Sequence, residues 1–206
     1  MKEQKLEEIL TFLQRSNKLK CIPRYSASLS DNADTTAEHS WRLALMAFII
    51  GTECKVKVDL THAMALALVH DLPEAKTGDL DVYKAITEKS KRSEKNLREE
   101  KAMREMTDDI SFGGSLYKLW EEYSQKETLE AKFVNALDKM EGFLHIAECG
   151  VESYIPKEFY ADYADKAVQT FDQATKEFPE VKDMLEMIKK NLKEQFEKAG
   201  VKYIVN

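Results

Sequence analysis

Residues 66–80 read Leu-Ala-Leu-Val-His-Asp-Leu-Pro-Glu-Ala-Lys-Thr-Gly-Asp-Leu. An apolar run ends in adjacent His70 and Asp71, and two more carboxylates, Glu74 and Asp79, follow closely. An imidazole nitrogen and a carboxylate oxygen are first-choice ligands for a catalytic divalent metal. Neighbours on a helix diverge by about 100°, so this pair can grip one ion only near a helix end. Pro73 and Gly78 supply the turn that makes such an end. The pair alone is a weak signal, and its weight depends on further ligands elsewhere.

Two such residues stand out. Thr35-Thr36-Ala37-Glu38 has the form of a capping box, with Thr35 as N-cap and Glu38 at the third helical position. The helix it opens carries His39, Leu43, Met46 and Ile50 on one face, so His39 points inward from the first turn. Asp138 lies among Ala136, Leu137 and Met140, in a helix predicted over about 128–148. An acid at a largely apolar helix position is costly unless it is paired or metal-bound. The alternative is a solvent-facing carboxylate at the edge of the stripe. Two imidazoles and two carboxylates on three helices leave room for water on an ion, the arrangement of a catalytic rather than a closed structural site.

The rest of the chain must position these residues. It has 206 residues, only seven glycines and four prolines, and long stretches rich in Ala, Leu, Glu and Lys. That composition predicts an all-α protein, a single domain large enough for a real core. The first helix runs from about Glu3 to Asn17, with Leu6, Ile9, Leu10 and Leu13 as one apolar stripe. Asp59 is the N-cap of a helix from Leu60 to Val69, apolar on most sides and therefore central in the bundle. Residues 88–110 form a long charged helix, its charges read as a solvated face and its buried edge as Leu97, Met103, Met106 and Ile110. A short helix follows with Leu116, Leu119, Trp120 and Tyr123 on one side. The 128–148 helix buries Leu129, Phe133, Leu137, Met140 and Leu144. The last two helices cover about 156–178 and 179–199, Gly200 is a C-cap, and the apolar end 201–206 docks somewhere.

The bulk numbers exclude several classes. Net charge −6 argues against a general nucleic-acid binder, which needs a basic footprint. No apolar run approaches the roughly 20 residues of a membrane span. Met1 opens a charged stretch with no signal-peptide core behind it. Cys21, Cys54 and Cys149 are far apart and form no CxxC, which points to a reducing, cytoplasmic compartment.

The order His39 … His70-Asp71 … Asp138 resembles the HD-domain superfamily of metal-dependent phosphohydrolases. Thr-Ala-Glu-His39-Ser, the stretch from Ala67 to Leu80 and Ala-Leu-Asp138-Lys-Met-Glu look like one branch of it. That branch contains bacterial 5'-deoxynucleotidases and their eukaryotic HD-domain-containing relatives. The similarity runs from about Arg24 to Glu148 and implies a single HD domain over 1–206. Its metal-site core would span about 24–148 and its C-terminal helices about 156–199.

The resemblance implies roles by position. His39, His70, Asp71 and Asp138 match metal ligands. Glu74 and Asp79 match two additional catalytic acids, one orienting or deprotonating water, the other protonating the departing 5'-oxygen or holding the sugar. Which does which stays open. Arg24 matches an arginine that contacts the substrate phosphate. Tyr25 stands where bacterial deoxynucleotidases often carry a Trp that helps exclude a ribose 2'-hydroxyl, so the deoxy preference stays open.

The implied reaction is hydrolysis of (deoxy)ribonucleoside 5'-monophosphates, with water activated by one divalent ion (cobalt, manganese, magnesium, iron or zinc). The implied partners are a small nucleotide substrate and a second copy of the chain, since relatives are homodimers and several helices carry apolar faces.

Rivals within the superfamily fit less well. Guanosine tetraphosphate hydrolases carry a Glu-Asp pair after His-Asp, whereas Ala75 follows Glu74 here. Dinuclear members need extra histidines, and only His62 and His145 remain; neither matches a motif position. Lys76 and Lys84 read as solvated lysines. A hydrolase of another phosphoester, or a non-catalytic metal-stabilised module, completes the alternatives.

Overall fold

The computed structural model describes residues 2–24, 34–79, 89–154, 169 and 172–200. Among them are eight α-helices: α1 (Lys2–Ser16), α2 (Thr36–Glu53), α3 (Leu60–Val69), α4 (Glu74–Thr77), α5 (Lys89–Thr107), α6 (Gly113–Gln125), α7 (Leu129–Cys149) and α8 (Lys182–Lys198). Their only β-type pairing is an isolated antiparallel bridge between Pro23 and Thr35. Most of the helix expected over about 156–178 and the docking of 201–206 lie outside the described residues, of which 172–175 are helical.

The helix starts follow from local chemistry. Thr35 Oγ1 accepts from Glu38 N at 3.2 Å, and Thr35 N donates to Glu38 Oε2 at 2.8 Å, closing the capping box that begins α2. Asp59 Oδ1 accepts from His62 N at 3.0 Å and starts α3. Thr128 Oγ1 does the same for Ala131 N at 3.2 Å and starts α7. Each cap satisfies a backbone N–H that the helix itself leaves unpaired. These three helices carry the predicted metal ligands.

Helices α2, α3 and α7 pack together, with α8 on the far side of α7. Their shared core includes Leu43, Ala47 and Ile50, then Ala63, Leu66 and Ala67, then Phe133, Val134, Leu137 and Met140, closed by Leu185, Leu192 and Phe196. A second cluster joins Val69, Leu72 and Ala75 to Met103, Met106 and Trp120 of α5 and α6. The α3–α4 segment thus contributes to both clusters, as its apolar composition requires.

The turn from α5 to α6 is tight: a Cβ on Gly113 would sit 1.8 Å from the Thr107 carbonyl oxygen. Farther along, α1 is tied to the end of α5 by a two-pronged Arg15–Asp109 ion pair at 2.5 Å.

Some sequence expectations are corrected. Leu97 is exposed rather than part of the buried edge of α5, which includes Ala102, Met103 and Met106, and the helix ends at Thr107, so buried Ile110 lies in the turn that follows. Leu129, in the first turn of α7, is also exposed. The stripe Leu6, Leu10 and Leu13 exists but stays in solvent. Periodicity identifies an apolar face without saying what covers it.

Thr35→Ala removes one half of the capping box. It is expected to lower stability by about 1 kcal/mol, read as a reduced urea midpoint with an unchanged slope.

Candidate metal centre

His39 and His70 are both buried. His70 Nδ1 donates to the Ala67 carbonyl at 2.7 Å. A carbonyl can only accept, so in the neutral ring the proton is on Nδ1 and Nε2 carries the lone pair. His39 Nδ1 lies 2.5 Å from Glu141 Oε2, another acceptor, so its Nε2 is likewise free of a proton in the neutral ring. The two Nε2 atoms are 3.3 Å apart. Two lone pairs at that distance repel unless a cation or a proton stands between them.

The carboxylates converge on the same point. Asp138 Oδ1 is 3.3 Å from His39 Nε2, and Asp71 Oδ2 is 2.9 Å from His70 Nε2 and 3.8 Å from His39 Nε2. His39, His70 and Asp138 present ligand atoms within 4.8 Å of one another. Mixed nitrogen and oxygen donors, two of them anionic, fit a divalent first-row ion.

Electrostatics agree. Burial would raise the Asp138 carboxyl, but Lys139 at 2.9 Å and the His39 hydrogen bond hold it well below the usual carboxylate range. Burial opposes ionisation of Asp71 too, and His70 beside it wins, keeping it low. For His39, burial and Arg24 act against a charge, yet hydrogen bonds to Asp138 and Glu141 raise its pKa. A proton and a metal ion therefore compete for one lone pair.

Beyond this cluster the α4 turn places Glu74, also buried, with its Oε2 accepting from Thr36 Oγ1 at 3.1 Å. Burial pushes its carboxyl well up, and Asp71 and Asp79 add to that; Lys95 opposes them. Gly78 has φ +71°, a left-handed geometry that turns the chain after α4 and presents partly buried Asp79. Arg24 is buried on the other flank, with Nη1 3.8 Å from Glu141 Oε2. Tyr25 lies outside the described residues.

Sequence reasoning missed three neighbours. Glu141 is fully buried although its motif position was in view, one helical turn beyond Asp138 on the same face. Lys95 and Glu99 sit inside the charge run of α5 that was read as solvated. Lys95 Nζ is instead 3.2 Å from Glu99 Oε1 and 3.8 Å from Glu74 Oε1. Burial alone would lower the Lys95 pKa, but Glu99 and Glu74 raise it above the ordinary lysine value.

The two histidines set aside from the site are accounted for. His62 pairs with Glu122 at 2.9 Å, and His145 packs on Tyr154 with Nδ1 3.9 Å from Asp34 Oδ2. Lys76 pairs with Glu105 at 2.7 Å, outside the cluster.

An HD domain family model matches residues 16–182. The 5'-deoxynucleotidase HDDC2 of Homo sapiens is 32% identical over 165 residues, covering 77% of this chain and 78% of that protein. The protein of the same name from Bos taurus is 34% identical over 144 residues, covering 68% and 67%. In three dimensions the chain is similar to a predicted metal-dependent phosphohydrolase from Magnetospirillum magnetotacticum. That match has TM-score 0.75 at 23% identity and covers 96% of this chain and 98% of the other. A conserved hypothetical protein from Pyrococcus furiosus has TM-score 0.66 at 23% identity, covering 88% and 99%. The all-α architecture, the buried His and Asp cluster and these similarities lead to one statement: the chain belongs to the HD-domain family.

Proposed function

We propose that this protein is a metal-dependent phosphomonoesterase that converts (deoxy)ribonucleoside 5'-monophosphates to nucleoside and phosphate. The observation that carries the reading is the convergence of two imidazole Nε2 atoms and two carboxylates beside buried Glu74. The similarity to proteins named 5'-deoxynucleotidase supports the substrate class.

In this reading His39, His70, Asp71 and Asp138 hold one divalent ion in a single HD domain. A bound ion lowers the pKa of water and screens phosphate charge. Arg24 offers a two-pronged fork to phosphate oxygens. Glu74, its carboxyl raised toward neutrality and one oxygen held by Thr36, is suited to taking a proton from the attacking water as the P–O5' bond breaks. Asp79 then either protonates the departing 5'-oxygen or holds the sugar, and the two acids could exchange these roles. Tyr25, directly after Arg24, is assigned to the sugar side of the substrate.

The same proposal includes a homodimer in a cytoplasmic setting. Trp41, Leu45 and Phe48 recur at helical spacing along α2 and are 64%, 41% and 50% exposed, an apolar face that a second copy would cover. None of the three cysteines is disulfide-bonded, which suits a reducing compartment. No helix among the described residues is long and apolar enough to cross a membrane.

Four outcomes test this reading. Phosphate release should occur from 5'-monophosphates offered as deoxy and ribo pairs with cobalt, manganese or magnesium. No turnover with any metal would remove the activity and leave a hydrolase of another phosphoester or a metal-stabilised module.

Glu74→Gln should bind manganese about as well as the parent while kcat falls by roughly 10²–10⁴. Its metal-free form should also behave distinctively with pH. A carboxyl whose folded pKa is raised contributes stability below its unfolded value and loses it as pH climbs toward the folded value. The parent should therefore lose urea resistance as pH rises above 4.5 relative to Glu74→Gln.

Phe48→Asp should shift the molecule from dimer to monomer in light scattering; an unchanged mass would place the dimer contact elsewhere.

A further inference from the structure

Glu141 has no role in the reaction drawn above, yet it is the most completely buried acid near the site, with no solvent exposure. Its Oε2 faces two partners of different function. One is His39 Nδ1 at 2.5 Å, on the ring whose other nitrogen points at the metal position. The other is Arg24 Nη1 at 3.8 Å. Its Oε1 makes no hydrogen bond among the described residues and faces Arg42 Nη1 at 3.9 Å.

On donor atoms alone, Glu141 could join Asp34 and His145 as a second cation site. Two guanidinium groups beside the same carboxylate argue against that, because they already balance its charge and would repel a cation.

The helix geometry sharpens the point. Asp138 and Glu141 are one turn apart on α7 and bracket a single imidazole: Asp138 lies at its Nε2 and Glu141 at its Nδ1. One rigid helix thus sets both the position and the tautomer of His39. A carboxylate is acceptor-only, so it fixes the proton on Nδ1. A glutamine of the same size could offer its amide N–H instead, which would favour the proton on Nε2 and block the lone pair.

We propose that Glu141 is a positioning residue that locks His39 in its metal-binding tautomer and, through the same oxygen, holds Arg24 in place for the substrate phosphate. The inference rests on the metal site and phosphate contact of the proposed function. It adds a physical link between them, because one carboxylate serves both the ion and the anion.

The test compares Glu141→Gln and Glu141→Asp with the parent by manganese titration calorimetry on metal-free protein, after circular dichroism has checked the fold. The expected order of affinity is parent, then Asp, then Gln, with Gln on the order of 10–100-fold weaker. At saturating manganese, KM for a nucleoside 5'-monophosphate should rise several-fold in Glu141→Gln as Arg24 loses the carboxylate charge beside it.

Gln binding manganese as well as the parent, or better than Asp, would overturn the proposal, since size rather than acceptor character would then matter. An unchanged KM would overturn the Arg24 link. If Glu141→Gln does not fold, Asp against parent decides: the retracted carboxylate should weaken manganese several-fold, and equal affinity would overturn the idea. A parent that binds manganese but hydrolyses no monophosphate would fail the substrate reading alone, and the affinity order would still decide this one. A parent that binds no divalent ion would overturn both.

Discussion

Everything at the centre depends on where two protons sit. An imidazole is a useful ligand only if one nitrogen is bare, and a buried ring left to itself has two ways to hold its proton. Here both rings face partners that cannot donate: the Ala67 carbonyl for His70 and the Glu141 carboxylate for His39. The carbonyl is provided by the helix that ends at His70, so that restraint needs no additional side chain. The restraint on His39 is different, since it requires an acid from a distant helix, buried without exposure and flanked by two arginines. The capped start of α2, the register of α7 and the charge of Arg24 all serve that one hydrogen bond.

The acids beyond the cluster show a second use of burial. Asp71 and Asp138 are kept ionised by cations and imidazoles, whereas Glu74, a short turn away, is pushed toward the neutral form. Carboxylates so close together differ because their neighbours differ. Lys95 on α5 opposes that push on Glu74 while Glu99 adds to it, so a helix that is mostly solvated contributes to the site's electrostatics.

Much of this could be read from residue order. The capping box at Thr35, the N-cap at Asp59 and the apolar run into His70 are local signals, each expressed within a few residues, and the structure has them as expected. Asp138 stood out because an acid in an apolar stripe demands a partner. Glu141 obeys the same rule one turn later, but nothing local says that its partner is His39, 102 residues away. Lys95 was hidden for the opposite reason: in a run of charges, one buried amine looks like its solvated neighbours. Leu97 and the stripe of Leu6, Leu10 and Leu13 mark the limit of periodicity, which identifies a face and not its cover. The position of Tyr25 and most of the helix expected over 156–178 fall outside the described residues.

The small bridge between Pro23 and Thr35 has a wider implication. Arg24 N donates to the Asp34 carbonyl at 2.7 Å, and Thr36 N donates to the Ile22 carbonyl at 2.9 Å. These rungs clasp the two ends of the intervening segment, so Arg24 and the start of α2 are fixed to each other directly. Closing a somewhat longer or shorter loop costs little extra entropy, on the order of 0.6 kcal/mol per doubling. The spacing of Arg24 and His39 is therefore held by the rungs rather than by the length of what lies between them. Two backbone hydrogen bonds thus couple the arginine to the first turn of α2 without passing through the segment they enclose.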